Sequence, residues 1–227
     1  MTLAIETIDT RSLPHDRARA QVLARMADLQ PGEALDVLAL QEPTLLLQSV
    51  LAEFPLGFDF SPLKPGPGQW RYHICRRGPR AQHCVTDYLA WDHDRLDALL
   101  EAAMDHARRG KWPGARALAD DFSHGLVRHI QIEEEILFPA FEEATGMQQG
   151  GPTMVMRHEH VDIQQHLRAI LAAMRAEDYD AAERGRADLL GVLVAHNMKE
   201  ESILYPTTDR LHSDESLEEL VVKLMLG

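Results

Sequence analysis

The stretch His129–Pro139, "HIQIEEEILFP", is written again at His196–Pro206 as "HNMKEESILYP", 67 positions later, with six of the eleven residues identical. Sliding the chain by that interval lays residues 93–139 on residues 160–206 without a gap. Two copies of a helical hairpin must bury their apolar stripes against each other, and the simplest solution is an antiparallel four-helix bundle. The aligned pairs include His93 with His160, His129 with His196, Glu133 with Glu200 and Glu134 with Glu201. Ile136, Leu137 and Pro139 match Ile203, Leu204 and Pro206. Packing accounts for those aliphatic and proline matches. It does not account for a histidine in register on all four helices, because a packed core selects aliphatic residues.

Residues four apart share a helix face, so His129 and Glu133 look into the bundle together, as do His196 and Glu200. Glu134 and Glu201 are turned a further ~100° around the axis and should face elsewhere. On that reading Glu134→Ala leaves metal content unchanged. Facing helices lie about 8–10 Å apart, which lets inward side chains converge at the centre. The expected site is therefore metal-binding and consists of His93, His129, Glu133, His160, His196 and Glu200. One octahedral ion would consume all six donors and leave no position for chemistry. Two ions, each with two imidazoles and shared carboxylates, leave room for an oxo or hydroxo bridge and a small ligand. Mixed nitrogen and oxygen donors in a bundle suit iron, with zinc and manganese ranked below it.

The rest of the chain has a different texture. Residues 1–80 read as β-α-β-α-β-β: "AIETIDT", a helix opened by Pro14, "EALDVLAL", a short helix "EPTLLLQSVLAEF", then "FDFSPL" and "GQWRYHICRR". That order implies a small two-layer α/β domain, joined through "RRGPRAQ" to a bundle over residues 81–212. The fold class is thus multidomain, α+β followed by all-α. The four long helices are expected at "DYLAWDHDRLDALLEAAMDHA", from about Pro113 through "FEEA", over about 153–176 and over about 180–205. A last amphipathic stretch within 213–227, "DESLEELVVKLML", has Ser213 or Asp214 as a cap and is expected to close the end of its own bundle. A contact between copies of the chain stays open as its alternative role.

The formal charge of −13 falls wholly after residue 80, since residues 1–80 hold nine basic and nine acidic residues. An acidic bundle repels a phosphate backbone, which excludes nucleic acid as a direct partner. No run approaches the ~20 apolar residues of a membrane span, and the start of the chain lacks a secretion signal. Two cysteines, Cys75 and Cys84, make no disulfide scaffold. These features together fit a cytoplasmic protein.

The pattern "H…HxxxEE.ILFP…EH…HxxxEE.ILYP" resembles the hemerythrin-like, HHE cation-binding domains, over about residues 84–210. Carried across residue by residue, the resemblance implies the same six ligands, His93 from "WDHDRL", His129, Glu133, His160 from "HEHVDI", His196 and Glu200. Oxygen-carrying hemerythrins have a further histidine four residues along the third helix and an aspartate for the second glutamate. Here those places hold Gln164 and Glu200. The chain therefore resembles the bacterial hemerythrin-like proteins linked to nitric oxide, dioxygen and iron–sulfur repair. His158 and His166 read as surface or outer residues, His124 and Asp97 as outer supports of the site, and Tyr88 and Trp91 as packing residues. The first segment resembles the small sulfur-carrier-like domain, but it has "SLPHD" where sulfur carriers place Cys-Pro-x-Pro. That removes the sulfur-bearing atom from the expected place. Cys84, in the expected linker, is the better candidate for any redox role.

Three functions stay open at this level. The centre binds or senses dioxygen or nitric oxide, with the α/β domain available to a protein partner; it reduces nitric oxide or peroxide as an enzyme; or it stores or delivers iron.

Overall fold

The computed structural model describes residues 5–54, 57–64, 66, 68–78, 83–148 and 150–227. The chain divides into two compact units, Met1–His83 and Cys84–Met225. In the first, the elements follow the expected order: β1 (Glu6–Asp9), α1 (His15–Asp28), β2 (Ala34–Ala39), α2 (Thr44–Glu53), β3 (Phe58–Lys64) and β4 (Trp70–Arg76). The sheet order is β1-β2-β4-β3, with β1 and β2 parallel and both other pairings antiparallel. Ile8 lies beside Val37, Val37 beside Tyr72, and Ile74 beside Phe60, so one face presents a continuous apolar row. Val22 and Met26 of α1 and Leu47 and Val50 of α2 bury against that row. Pro62 sits on the edge strand β3, where its missing N–H breaks no inner ladder. The expected linker residues 79–82 lie outside the described residues.

The second unit begins with α3 (Val85–Arg108) and α4 (Trp112–Ile132). A π-helical turn (Glu133–Leu137) and α5 (Phe138–Thr145) continue the second helix. The second hairpin repeats the plan with α6 (Pro152–Ala176), α7 (Tyr179–Lys199), a π turn (Glu200–Leu204) and α8 (Tyr205–Leu211). The starts of α4 and α7, both π turns, and the starts of α5 and α8 are each 67 residues apart. The duplication thus holds element by element. The fourth helix was expected to stop near residue 205, but it runs past Pro206 to Leu211. The π turn before the proline makes this feasible: Phe138 N–H bonds back to Glu133 O and Tyr205 N–H to Glu200 O, in the wide i→i−5 pattern. A widened turn tolerates the missing donor of the proline that follows.

Helix α9 (Asp214–Leu226) is capped by Ser213, whose hydroxyl oxygen accepts from Ser216 N–H. Its Leu217, Leu220, Val221 and Leu224 bury among Tyr88, Leu89, Phe138 and Leu204. Arg128 of α4 donates to the carbonyls of Leu224 and Met225 at 2.8 and 2.9 Å, satisfying the end of α9. The helix closes its own bundle, as its amphipathic stripe implied. This end cluster and a second apolar cluster built on Leu96, Leu100, Phe122, Leu126, Ile163, Leu167 and Leu189 leave a polar band between them. His93 sits between Leu89 of one cluster and Leu96 of the other.

Candidate metal centre

All six residues singled out in the sequence are buried in that band: Glu133 and Glu200 at 0% exposure, and the four histidines at 6% or less. Donor atoms of Glu133, His160, His196 and Glu200 lie within 4.8 Å of one another, and so do those of His93, His129 and Glu200. The imidazoles meet in two pairs. His93 Nε2 and His129 Nε2 are 3.1 Å apart, and His160 Nε2 and His196 Nε2 are also 3.1 Å apart.

The outward nitrogen of each ring faces a carboxylate. His93 Nδ1 lies 2.7 Å from Glu201, His129 Nδ1 2.9 Å from Asp92, His160 Nδ1 2.8 Å from Glu134 and His196 Nδ1 2.9 Å from Glu159. An ionised carboxylate only accepts, so each Nδ1 carries the proton and donates it outward. Neutral imidazoles then turn bare Nε2 lone pairs inward, two facing two. Facing lone pairs at 3.1 Å repel unless a cation or a proton stands between them. Glu133 Oε2 and Glu200 Oε1 add to this: they are buried, and they face the bare Nε2 atoms of His160 and His196 at 3.3 and 2.9 Å with no proton donated to them. The donor set therefore fits divalent cations.

In the metal-free chain the same buried charges govern the protons. Burial alone would lower His129, but Glu133 and Asp92 outweigh it and raise it to about 10. His196 is raised too, against burial, chiefly by Glu200. Burial opposes ionisation of Glu133, yet His129 and His160 hold its carboxyl well below the usual range. Without metal, protons take the place of the cations.

Two corrections concern the outer residues. Glu134 and Glu201 do leave the centre, but they do not face elsewhere: each reaches round to the back of a ligand ring on a neighbouring helix. His124 is exposed and lies outside the group. Asp97 lines a small cavity beside the site together with Leu96, Phe122, Leu126, Ile163 and Leu193. His158 is exposed and bonds only locally to Met154 O, and His166 is half-buried. Cys84 is not an exposed linker thiol: it caps α3, accepting from Asp87 N–H, and burial pushes it up to about 11. Tyr88 packs in the end cluster and stacks on Trp91 at 5.9 Å.

Three site residues were missed. Asp92 and Glu159 hold His129 and His196, and the 67-residue interval pairs them with each other as two acids beside two histidines. Counting only identities hid that match. Arg95 braces Asp92 at 2.8 Å and Lys199 braces Glu159. The third is Tyr205, fully buried, whose hydroxyl donates to Glu133 Oε1 at 2.6 Å and lies 3.1 Å from Glu200 Oε2. An α-helix would put Tyr205 ~140° from Glu200, whereas the extra residue in the π turn reduces that to ~40°.

Comparison with known proteins agrees with the geometry. The model for the hemerythrin HHE cation-binding domain matches residues 84–208, and residues 7–76 match an uncharacterised conserved family, DUF2249. The chain is 30% identical to the iron-sulfur cluster repair protein YtfE of Edwardsiella ictaluri over 71% of its own length and 76% of that protein's. It is 32% identical to the Enterobacter sp. protein of the same name over 57% of its length and 64% of the relative's. The Musicola paradisiaca protein of that name is 35% identical over 36% of this chain and 40% of its own. No solved structure matches the chain significantly.

Proposed function

The chain belongs to the hemerythrin HHE cation-binding family, and from that premise we propose that it holds two iron ions in the bundle and serves iron–sulfur cluster repair. One observation carries the reading: two facing imidazole pairs, each outward nitrogen held by its own carboxylate, converge on two buried glutamates, each with one oxygen that accepts from no donor. His93 and His129 would hold one ion and His160 and His196 the other, with Glu133 and Glu200 between them. Bound iron supplies redox capacity and open coordination positions. The chain's own part is to orient and shield. Asp92, Glu134, Glu159 and Glu201 fix each ring's tautomer and direction, and the two apolar clusters keep bulk water from the donors.

A cavity of about 10 Å3 opens between His93, His129, His196 and the apolar walls of Leu126, Ile130 and Leu193. It has room for no more than about one water-sized molecule, which favours dioxygen or nitric oxide over an ordinary metabolite as the species met at the centre. The name shared by the relatives directs the choice among readings towards repair.

The test has two arms. Protein loaded anaerobically with Fe(II) is examined by visible absorption before and after nitric oxide. The same preparation is then incubated with an iron–sulfur dehydratase whose cluster nitric oxide has damaged. Recovery of dehydratase activity beyond that given by equal free Fe(II) supports repair. Catalytic loss of nitric oxide over many cycles with no recovery would replace repair by an enzyme reading.

A further inference from the structure

The duplication makes the two halves of the centre alike in their six inward donors, and they differ at the aromatic residue that follows each inward glutamate. At the 67-residue interval Phe138 pairs with Tyr205, the aromatic residue that opens the helix after each π turn. Phe138 lies flat on His160, with ring centroids 5.6 Å apart and planes at 10°. Tyr205 takes the matching place beside His93, at 5.9 Å and 35°. Only the second half therefore brings a hydroxyl into the polar band.

That hydroxyl is not idle. It donates to Glu133 Oε1 at 2.6 Å and stands 3.1 Å from Glu200 Oε2 and 3.4 Å from His93 Nε2. Glu133 Oε1 is the oxygen nearer His129, at 3.6 Å, whereas Oε2 faces His160 at 3.3 Å. The tyrosine thus engages the two glutamate oxygens that face the His93–His129 pair, Glu133 Oε1 and Glu200 Oε2, and leaves Glu133 Oε2 and Glu200 Oε1 to the His160–His196 pair. The donor groups reflect this. The His160–His196 pair gathers both glutamates within 4.8 Å, while the His93–His129 pair gathers Glu200 alone.

We propose that Tyr205 is a positioning residue that makes the two metal positions unequal, by engaging the oxygens of Glu133 and Glu200 that face the His93–His129 position. The proposal rests on the two-ion reading above. The His160–His196 position then fills first with a full set of two nitrogens and two carboxylates. The other has two nitrogens, one carboxylate and a phenol hydroxyl as neighbour.

The full chain is titrated with Co(II), read by its visible d–d bands, beside Tyr205→Phe and Phe138→Tyr. An outer partner is worth about 10–100-fold in metal affinity, so wild type should bind Co(II) in two steps at least about tenfold apart. Tyr205→Phe removes the hydroxyl from one half, and Phe138→Tyr adds one to the other, so both variants should bring the steps together. Mössbauer spectra of 57Fe(II)-loaded wild type should show two resolved doublets that approach each other in the variants. Two steps that persist unchanged in both variants would overturn the positioning role and leave the dinuclear reading standing. Binding of a single ion by wild type would overturn the dinuclear reading itself. If Tyr205→Phe fails to fold, Phe138→Tyr alone decides between convergence and no change.

Discussion

At the scale of single residues, the inward donors were legible because two periods coincide: four residues along a helix, and 67 along the chain. The outer carboxylates were less so. Glu134 was placed outside the site by the helical period, correctly as to the centre and wrongly as to its use, because the period says nothing of a neighbouring helix's ring. Glu134 Oε1 at 2.8 Å fixes His160. We expect Glu134→Ala to fold normally but to weaken metal binding by about 10–100-fold, the usual worth of such a partner. A competition titration against a chromophoric chelator measures this. Affinity equal to wild type would mean that the contact of Glu134 with His160 contributes nothing to metal binding. Asp92 is held as an ion behind His129: burial would raise its carboxyl, but Arg95 and His129 keep it far below the ordinary range.

At the scale of elements, the order of strands and helices in the first unit followed from strand alternation and from Pro14, and the long helices of the bundle from helical spacing and the glycine breaks. The π turns did not. Nothing in "EEEIL" or "EESIL" distinguishes an i→i−5 turn from an ordinary one; the nearest signal is the proline two residues on, which withdraws a donor. Missing the turn meant missing Tyr205, since the residue after it is rotated by about one position. We expect Pro139→Ala to let the first turn tighten towards an α-helix. The widened turn offsets only part of the cost of about 3 kcal/mol that a proline carries inside a helix, so the metal-free variant should unfold at a somewhat higher temperature than wild type. Because tightening also swings Phe138 off His160, its metal affinity should fall. Thermal melts and the same chelator titration check both halves. A variant that gains stability and keeps full affinity would show that the π turn serves packing alone.

For the whole molecule, two apolar clusters enclose a band whose charges need partners. In the metal-free chain protons supply them. His129, raised to about 10, stabilises the fold fully below its unfolded value of about 6.5. That contribution fades as the pH climbs through about 10. Metal replaces the protons and should remove this dependence. Saturation at about 100 times Kd adds about 2.7 kcal/mol for one ion. At about 2–4 °C per kcal/mol for a unit of this size, stripping the metal should lower Tm by at least about 5 °C. The metal-free Tm should fall further between about pH 8 and pH 10, whereas the loaded protein's should hold. Calorimetry on both forms across that range tests it; parallel curves would mean that the six groups do not share a cation.

The central claim is that six inward side chains from four helices share two iron ions, and iron content tests it most directly. Protein loaded anaerobically with Fe(II) and freed of excess should retain about two ions per chain, the number bundle carboxylate–histidine sites are built for. His196→Ala and Glu133→Ala, folded by circular dichroism, should retain about one or none. Wild type that keeps no iron, or variants that keep as much as wild type, would contradict the account.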